Sequence, residues 1–137
     1  MSTHPYLRAY MAGITIPTML LLIIMSVFVL VRHVYEIPIP VERVIVFPMA
    51  IVPNLWGVWN VLYVFLRSRR HLPIGFHGAI LPFLLAPLAY TVTRLVDFEI
   101  PNFVANAFPF MFPVAVVVIY LVWKHLVAFF NELLGIA

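Results

Sequence analysis

Cysteine is absent from this chain, which excludes disulfides, thiolate metal sites and thiol nucleophiles, and leaves the redox compartment unread. Charge is scarce: 9% of residues are Asp, Glu, Lys or Arg, against about 25% in an ordinary soluble domain. Serine occurs only at Ser2, Ser26 and Ser68. No histidine–carboxylate pair accompanies any of them, so the chain reads as non-enzymatic. Glycine is sparse and no apolar run contains GxxxG. Close helix packing must then come from scattered small residues and proline kinks.

What remains is hydrophobic, 65% of 137 residues. A soluble domain of this size would have to clothe its surface in Leu, Val and Phe, whereas a bilayer accepts such side chains as solvent. Four uncharged runs, 12–31, 44–66, 74–93 and 104–123, each reach the ~20 residues that a helix needs to cross the hydrocarbon. They are apolar all round, unlike the alternating strands of a barrel, and helices satisfy their own backbone in lipid. The expected fold is all-α: a single domain of four antiparallel transmembrane helices joined by short loops. Residues 124–137 follow as a C-terminal extension, either continuing the fourth helix or lying on the membrane surface.

Four crossings put both termini on one side. That side carries Arg8, Arg67, Arg69, Arg70 and Lys124; the other carries Arg32, Arg43 and Arg94, offset by Glu36, Glu42, Asp97 and Glu99. The excess of basic residues makes the terminal side cytoplasmic in a cell membrane. The first run is no cleavable signal, since Arg32-His33 follows it instead of a small-residue cleavage site. Tyr6, Tyr10, Tyr35, Tyr63, Tyr90, Tyr120 and Trp123 fall mostly near run ends, as an aromatic belt requires.

An internal echo joins the two halves. Arg32-His-Val34-Tyr-Glu36-Ile37-Pro38 and Arg94-Leu-Val96-Asp-Phe-Glu99-Ile100-Pro101 both read Arg-x-Val-x-Glu-Ile-Pro, with one residue inserted in the second. Duplicated helical hairpins would be related by an axis along the membrane normal. Helix-end chemistry alone also favours this pattern: a basic residue suits a helix C-terminus, and an acid and a proline suit the start of the next.

Proline is the strongest anomaly. Pro53, Pro87 and Pro113 lie deep in three runs, where each removes a hydrogen bond and presses on the carbonyl four residues back. The carbonyls freed are those of Met49, Phe83 and Pro109. At similar depth they favour a shared polar solution. Asn54 and Asn106 are the nearest strong donors, with Tyr90 on the same side and Arg94 and Glu99 at the mouth. These eight residues form the expected solute pocket, opening outward. Asn54, Asn60 and Asn106 should all face other helices, and packing glue is the plainer role for them.

His77 and His125 are the histidines that helices bring toward the cytoplasmic side. No supporting cluster makes them metal or haem ligands, so no cofactor and no metal is expected. Arg67, Arg69 and Arg70 form a basic knot suited to anionic lipid headgroups; nucleic acid is a poor partner for a chain sunk in lipid. Two functions stay open. One is a passive or gated pathway for a small or amphipathic solute, since no acid inside a run can couple protons. The other is a non-transporting subunit or scaffold that binds lipids, a second copy or a partner membrane protein. They differ in one respect: a pathway gathers its polar residues around a cavity, and a scaffold locks them into a tight core.

Overall fold

The computed structural model describes residues 4–38, 51–67, 69, 72–97 and 99–136. All regular structure among the described residues is helical, with no strand. Helix α1 is Pro5–Val34, α2 is Val52–Leu66, α3 is Ile74–Ala79, α4 is Leu81–Leu95 and α5 is Asn102–Val122. A π-helical turn, Trp123–Val127, carries α5 into α6, Ala128–Leu133. The fourth apolar run and its extension therefore make one helical rod, Asn102–Leu133. Three stretches, Pro5–Val34, Ile74–Leu95 and Asn102–Leu133, are long and apolar enough to cross a membrane. The described part of the second run, Val52–Leu66, is shorter; its first residues, 44–50, lie outside the described residues, as do Arg43, Glu42 and Arg70.

Proline punctuates the third run, at a position other than the deep one expected. Helical pairing breaks at Ile80, between α3 and α4. Pro82 opens α4; it has no N–H to offer the Gly78 carbonyl and would collide with it in a continuous helix. Phe83 N–H reaches back to the Ile80 carbonyl at 3.1 Å instead. Pro87 and Pro113 stay inside their helices. Pro53 sits in the first turn of α2 as described, where a missing N–H costs little. Met49 lies outside the described residues.

The helix ends follow local chemistry. Gly135 adopts φ 73°, its N–H bonds Glu132 O at 3.0 Å, and Ile136 N–H bonds Asn131 O at 2.9 Å. This pairing stops α6 with a left-handed residue where glycine carries no Cβ penalty. Ile136 then folds into a core with Ala9, Ala12 and Val64. The two echoed segments end α1 and α4 alike, each with an acid in the left-handed region: Glu36 at φ 55° and Asp97 at φ 52°. The backbone thus matches Glu36 with Asp97, whereas the sequence pairs it with Glu99.

Helices α1 and α2 pack closely along their length. A Cβ at Gly13 would stand 2.6 Å from the Trp56 carbonyl oxygen and 2.8 Å from the Gly57 Cα, so only glycine allows that approach. The closeness brings Asn60 against α1, and its Nδ2 donates to the Ala9 carbonyl at 2.7 Å. The same Nδ2 donates to Asn131 Oδ1 at 2.7 Å, and Asn131 Nδ2 returns a bond to Asn60 Oδ1 at 3.2 Å. Three helices are joined at one fully buried amide. Arginines hold the chain end beside it: Arg8 donates to Leu134 O at 3.4 Å, and Arg67 donates to Ile136 O.

Breaking this cluster should be costly but not additive. Asn60→Leu leaves the Asn131 amide and the Ala9 carbonyl without their partner, a loss of about 1–2 kcal/mol. Asn131→Leu should cost a similar amount. The double variant should melt no lower than the weaker single, measured by thermal loss of the monodisperse peak in detergent. Strictly additive losses would show that the two amides act independently.

Candidate functional site

Two polar constellations emerge, one sealed and one open. The sealed one surrounds His77, which is 4% exposed. Its Nε2 lies 2.8 Å from the Trp59 carbonyl; a carbonyl only accepts, so this nitrogen carries the proton. Trp59 Nε1 donates in return to the His77 carbonyl at 2.7 Å, and the two rings stack at 4.7 Å. Tyr63 and Trp123 approach the imidazole at 5.3 and 5.8 Å, and Trp56 meets Trp123 at 5.5 Å. His77 therefore lies inside an aromatic core that staples α2 to α3, not at an interface. Trp56 and Trp123 bury their indole N–H groups without a hydrogen-bond partner among the described residues, which leaves ring packing to offset that cost. Sequence reading missed this cluster; the signal was there in Trp56, Trp59 and Tyr63, at helical spacing on one run.

The open constellation lies where α4 turns into α5. Tyr90, Thr93, Arg94, Asp97, Glu99, Ile100 and Asn102 line a cleft of about 690 Å³. Positions 90, 93 and 94 recur at helical spacing, so the last turns of α4 present them on one side, and Asp97 follows just past the helix end. Thr93 turns its hydroxyl back to the Tyr90 carbonyl at 2.7 Å. The left-handed backbone at Asp97 ends the helix and swings the chain toward Glu99. Pro101 then precedes the first turn of α5, accepting from Val104 N–H at 3.0 Å and Ala105 N–H at 3.2 Å. Pro101 is the N-cap and Asn102 the first helical residue, which places Asn102 on the cleft wall. Arg94 shares this space with two carboxylates, yet no ion pair joins them among the described residues.

The cleft gathers three of the eight pocket residues expected from the sequence: Tyr90, Arg94 and Glu99. It adds Thr93, Asp97, Ile100 and Asn102, which depend on the turn geometry and carried no sequence signal of their own. Asn54 lies elsewhere, accepting from the Tyr10 hydroxyl across α1 and α2. Asn106 does not line the cleft; it lies one turn along α5 from Asn102 and is exposed. Pro53 is half-buried, while Pro87 and Pro113 are exposed on α4 and α5. Of the basic knot, Arg67 and Arg69 are both exposed; Arg69 stacks on the Phe65 ring at 5.2 Å, and Arg67 donates to the Ile136 carbonyl. A second, apolar groove of about 430 Å³ runs between α1 and α6, lined by Met11, Thr15, Met19, Phe130 and Leu133 among others.

No protein-family model matches the chain, and no significant match was found among curated proteins or solved structures, so the functional reading rests on this geometry.

Proposed function

We propose that this chain is a small multi-pass membrane protein that does not transport, and that it serves as a membrane subunit or scaffold whose outer cleft holds the polar part of an amphipathic ligand. Three helices of membrane-crossing length support insertion. So does α5, which has no buried residue while presenting Phe103, Phe110, Met111 and Val114 on its surface; lipid is the solvent that tolerates such a helix. In this reading the second apolar run, 44–66, supplies the fourth crossing, and the tied end with Arg8 and Arg67 is cytoplasmic. The like endings of α1 and α4 support two tandem hairpins.

One observation carries the non-transporting assignment. The polar side chains between the packed helices are bonded within the protein: Asn60 to Asn131 and the Ala9 carbonyl, His77 to Trp59, Asn54 to Tyr10; Asn106, on the outer face of α5, is the exception. What they build is a locked core, and the polar cleft lies at the opposite end of the rods. A second reading, a passive pathway for a small solute, is favoured by the size and lining of that cleft, since ligand pockets commonly measure about 300–1,000 Å³.

Two measurements test this. Because cysteine is absent, single cysteines report topology cleanly. Ile37→Cys should react with an impermeant maleimide on intact cells and Ser2→Cys should not; the reverse pattern, or release of the chain by alkaline carbonate, overturns the topology or the insertion. In proteoliposomes, efflux of small dyes, sugars and amino acids should match that of protein-free vesicles. Selective, protein-dependent efflux would overturn the scaffold reading in favour of the pathway.

A further inference from the structure

The geometry points to a more specific ligand: we propose that the cleft at the α4–α5 turn, continued by the Asn102–Asn106 side of α5, binds one phospholipid with a primary-amine headgroup. The proposal rests on the membrane reading above.

The argument begins with depth. The stretch Ile74–Leu95 holds 22 residues, about 33 Å at helical rise, close to the hydrocarbon thickness. If Pro73 lies at one membrane surface, Arg94 reaches the headgroup layer of the other. Tyr90, one turn inward, sits where tyrosine anchors at an interface.

Charge sets the headgroup. Arg94 faces the cleft together with Asp97 and Glu99, and no ion pair closes it among the described residues. Opposite charges held apart around one space suit a ligand that carries both signs. A guanidinium takes a phosphate through two parallel N–H bonds. Two carboxylates accept from an ammonium, which has three N–H donors and no acceptor. A headgroup with phosphate alone leaves the carboxylates unmatched and repelled. A quaternary ammonium brings the charge but no donor.

The face of α5 sets the source of that headgroup. Asn102, Asn106, Pro109 and Pro113 follow i, i+4, i+7 and i+11 spacing, one face of a helix, and all four are exposed. Asn102 lines the cleft. Asn106 lies four residues on, about 6 Å deeper, and forms no hydrogen bond among the described residues. A free amide facing hydrocarbon is costly. The depth below a phosphate at which it sits is that of the ester carbonyls of a glycerolipid, which accept hydrogen bonds. Beyond it, Pro109 and Pro113 offer short, flat side chains along which an acyl chain can lie. A water-soluble zwitterion would satisfy Arg94 and the acids but would not reach Asn106.

The test uses the full chain in detergent micelles, with native mass spectrometry reading bound lipid. Phosphatidylethanolamine and phosphatidylglycerol of identical acyl chains are offered at equal concentration, with phosphoethanolamine as soluble competitor. Phosphatidylethanolamine should be retained about tenfold over phosphatidylglycerol, the scale of one charged hydrogen-bonded contact. Arg94→Gln and, independently, Glu99→Gln should each remove most of that preference, and Asn106→Leu should weaken lipid retention several-fold. Asn54→Leu, away from the cleft, should leave it unchanged. Equal retention of the two lipids overturns the proposal, as does a preference that both glutamine variants keep. Full displacement by phosphoethanolamine, with Asn106→Leu silent, also overturns it and assigns the cleft to a soluble zwitterion. Carbonate extraction of the cell membranes, before detergent is added, separates the two levels: a chain that resists extraction but shows no preference loses this ligand alone, and a chain that is extracted loses the membrane reading as well.

Discussion

The Asn60 amide is the interaction on which the rest of the structure depends. Its Nδ2 bonds reach the Ala9 backbone of α1 and the Asn131 side chain of α6, so α2 is fixed to both ends of the chain at once. Burial makes the arrangement demanding. Water does not reach this amide, and an unmatched donor there costs more than the bond itself yields. The close contact of Gly13 with Gly57 lets α1 come near enough for the Ala9 carbonyl to be within reach. The Schellman-type ending at Gly135 turns Ile136 back into the core beside it, and Arg8 and Arg67 hold the last carbonyls. One hydrogen-bond cluster thus sets the register of α1, α2 and α6.

The opposite end of the molecule is built on another principle. There the helices stop at left-handed acids, Glu36 and Asp97, and Glu36, Arg94, Asp97 and Glu99 stay exposed. At the tied end the buried amides satisfy one another. At the cleft end Arg94 lines one space with Asp97 and Glu99, and no ion pair joins them among the described residues. With 9% charged residues the chain has few polar side chains to distribute, and among the described residues the bonded amides and the open charged cleft lie apart along the helix axis. The aromatic staple of Trp59 on His77 lies between the two and joins the α1–α2 pair to the α4–α5 pair through α3.

Much of the fold was legible in advance, because hydrophobic length is a one-dimensional property. Runs of Leu, Val, Ile and Phe declare helices; three of the four runs form helices long and apolar enough to cross a membrane, and the π-turn at Trp123 did not interrupt the continuation of the fourth into α6. The break at Ile80 was less legible. Pro82 and Pro87 are chemically alike, and what distinguishes them is whether the helix continues around them or restarts. Partner choice was the least legible. Asn54 and Asn60 belong to the same run, yet one pairs with Tyr10 and the other with Asn131. Asn131 itself stood out only as part of a narrow polar stripe in the tail.

The sequence by itself determined that this protein is helical, that its charge gathers outside the apolar runs, and that it has no thiol chemistry. These follow from composition and from the order of apolar and polar residues, which local physics reads directly. Only the tertiary structure decided that His77 is a core residue, that Asn60 finds Asn131, and that Tyr90, Arg94 and Glu99 share a cleft with Asp97 and Asn102. Those outcomes depend on the rotation of each helix about its axis and on backbone turns such as the one at Asp97. Close packing against other helices fixes both, and residues far apart in the chain supply that packing.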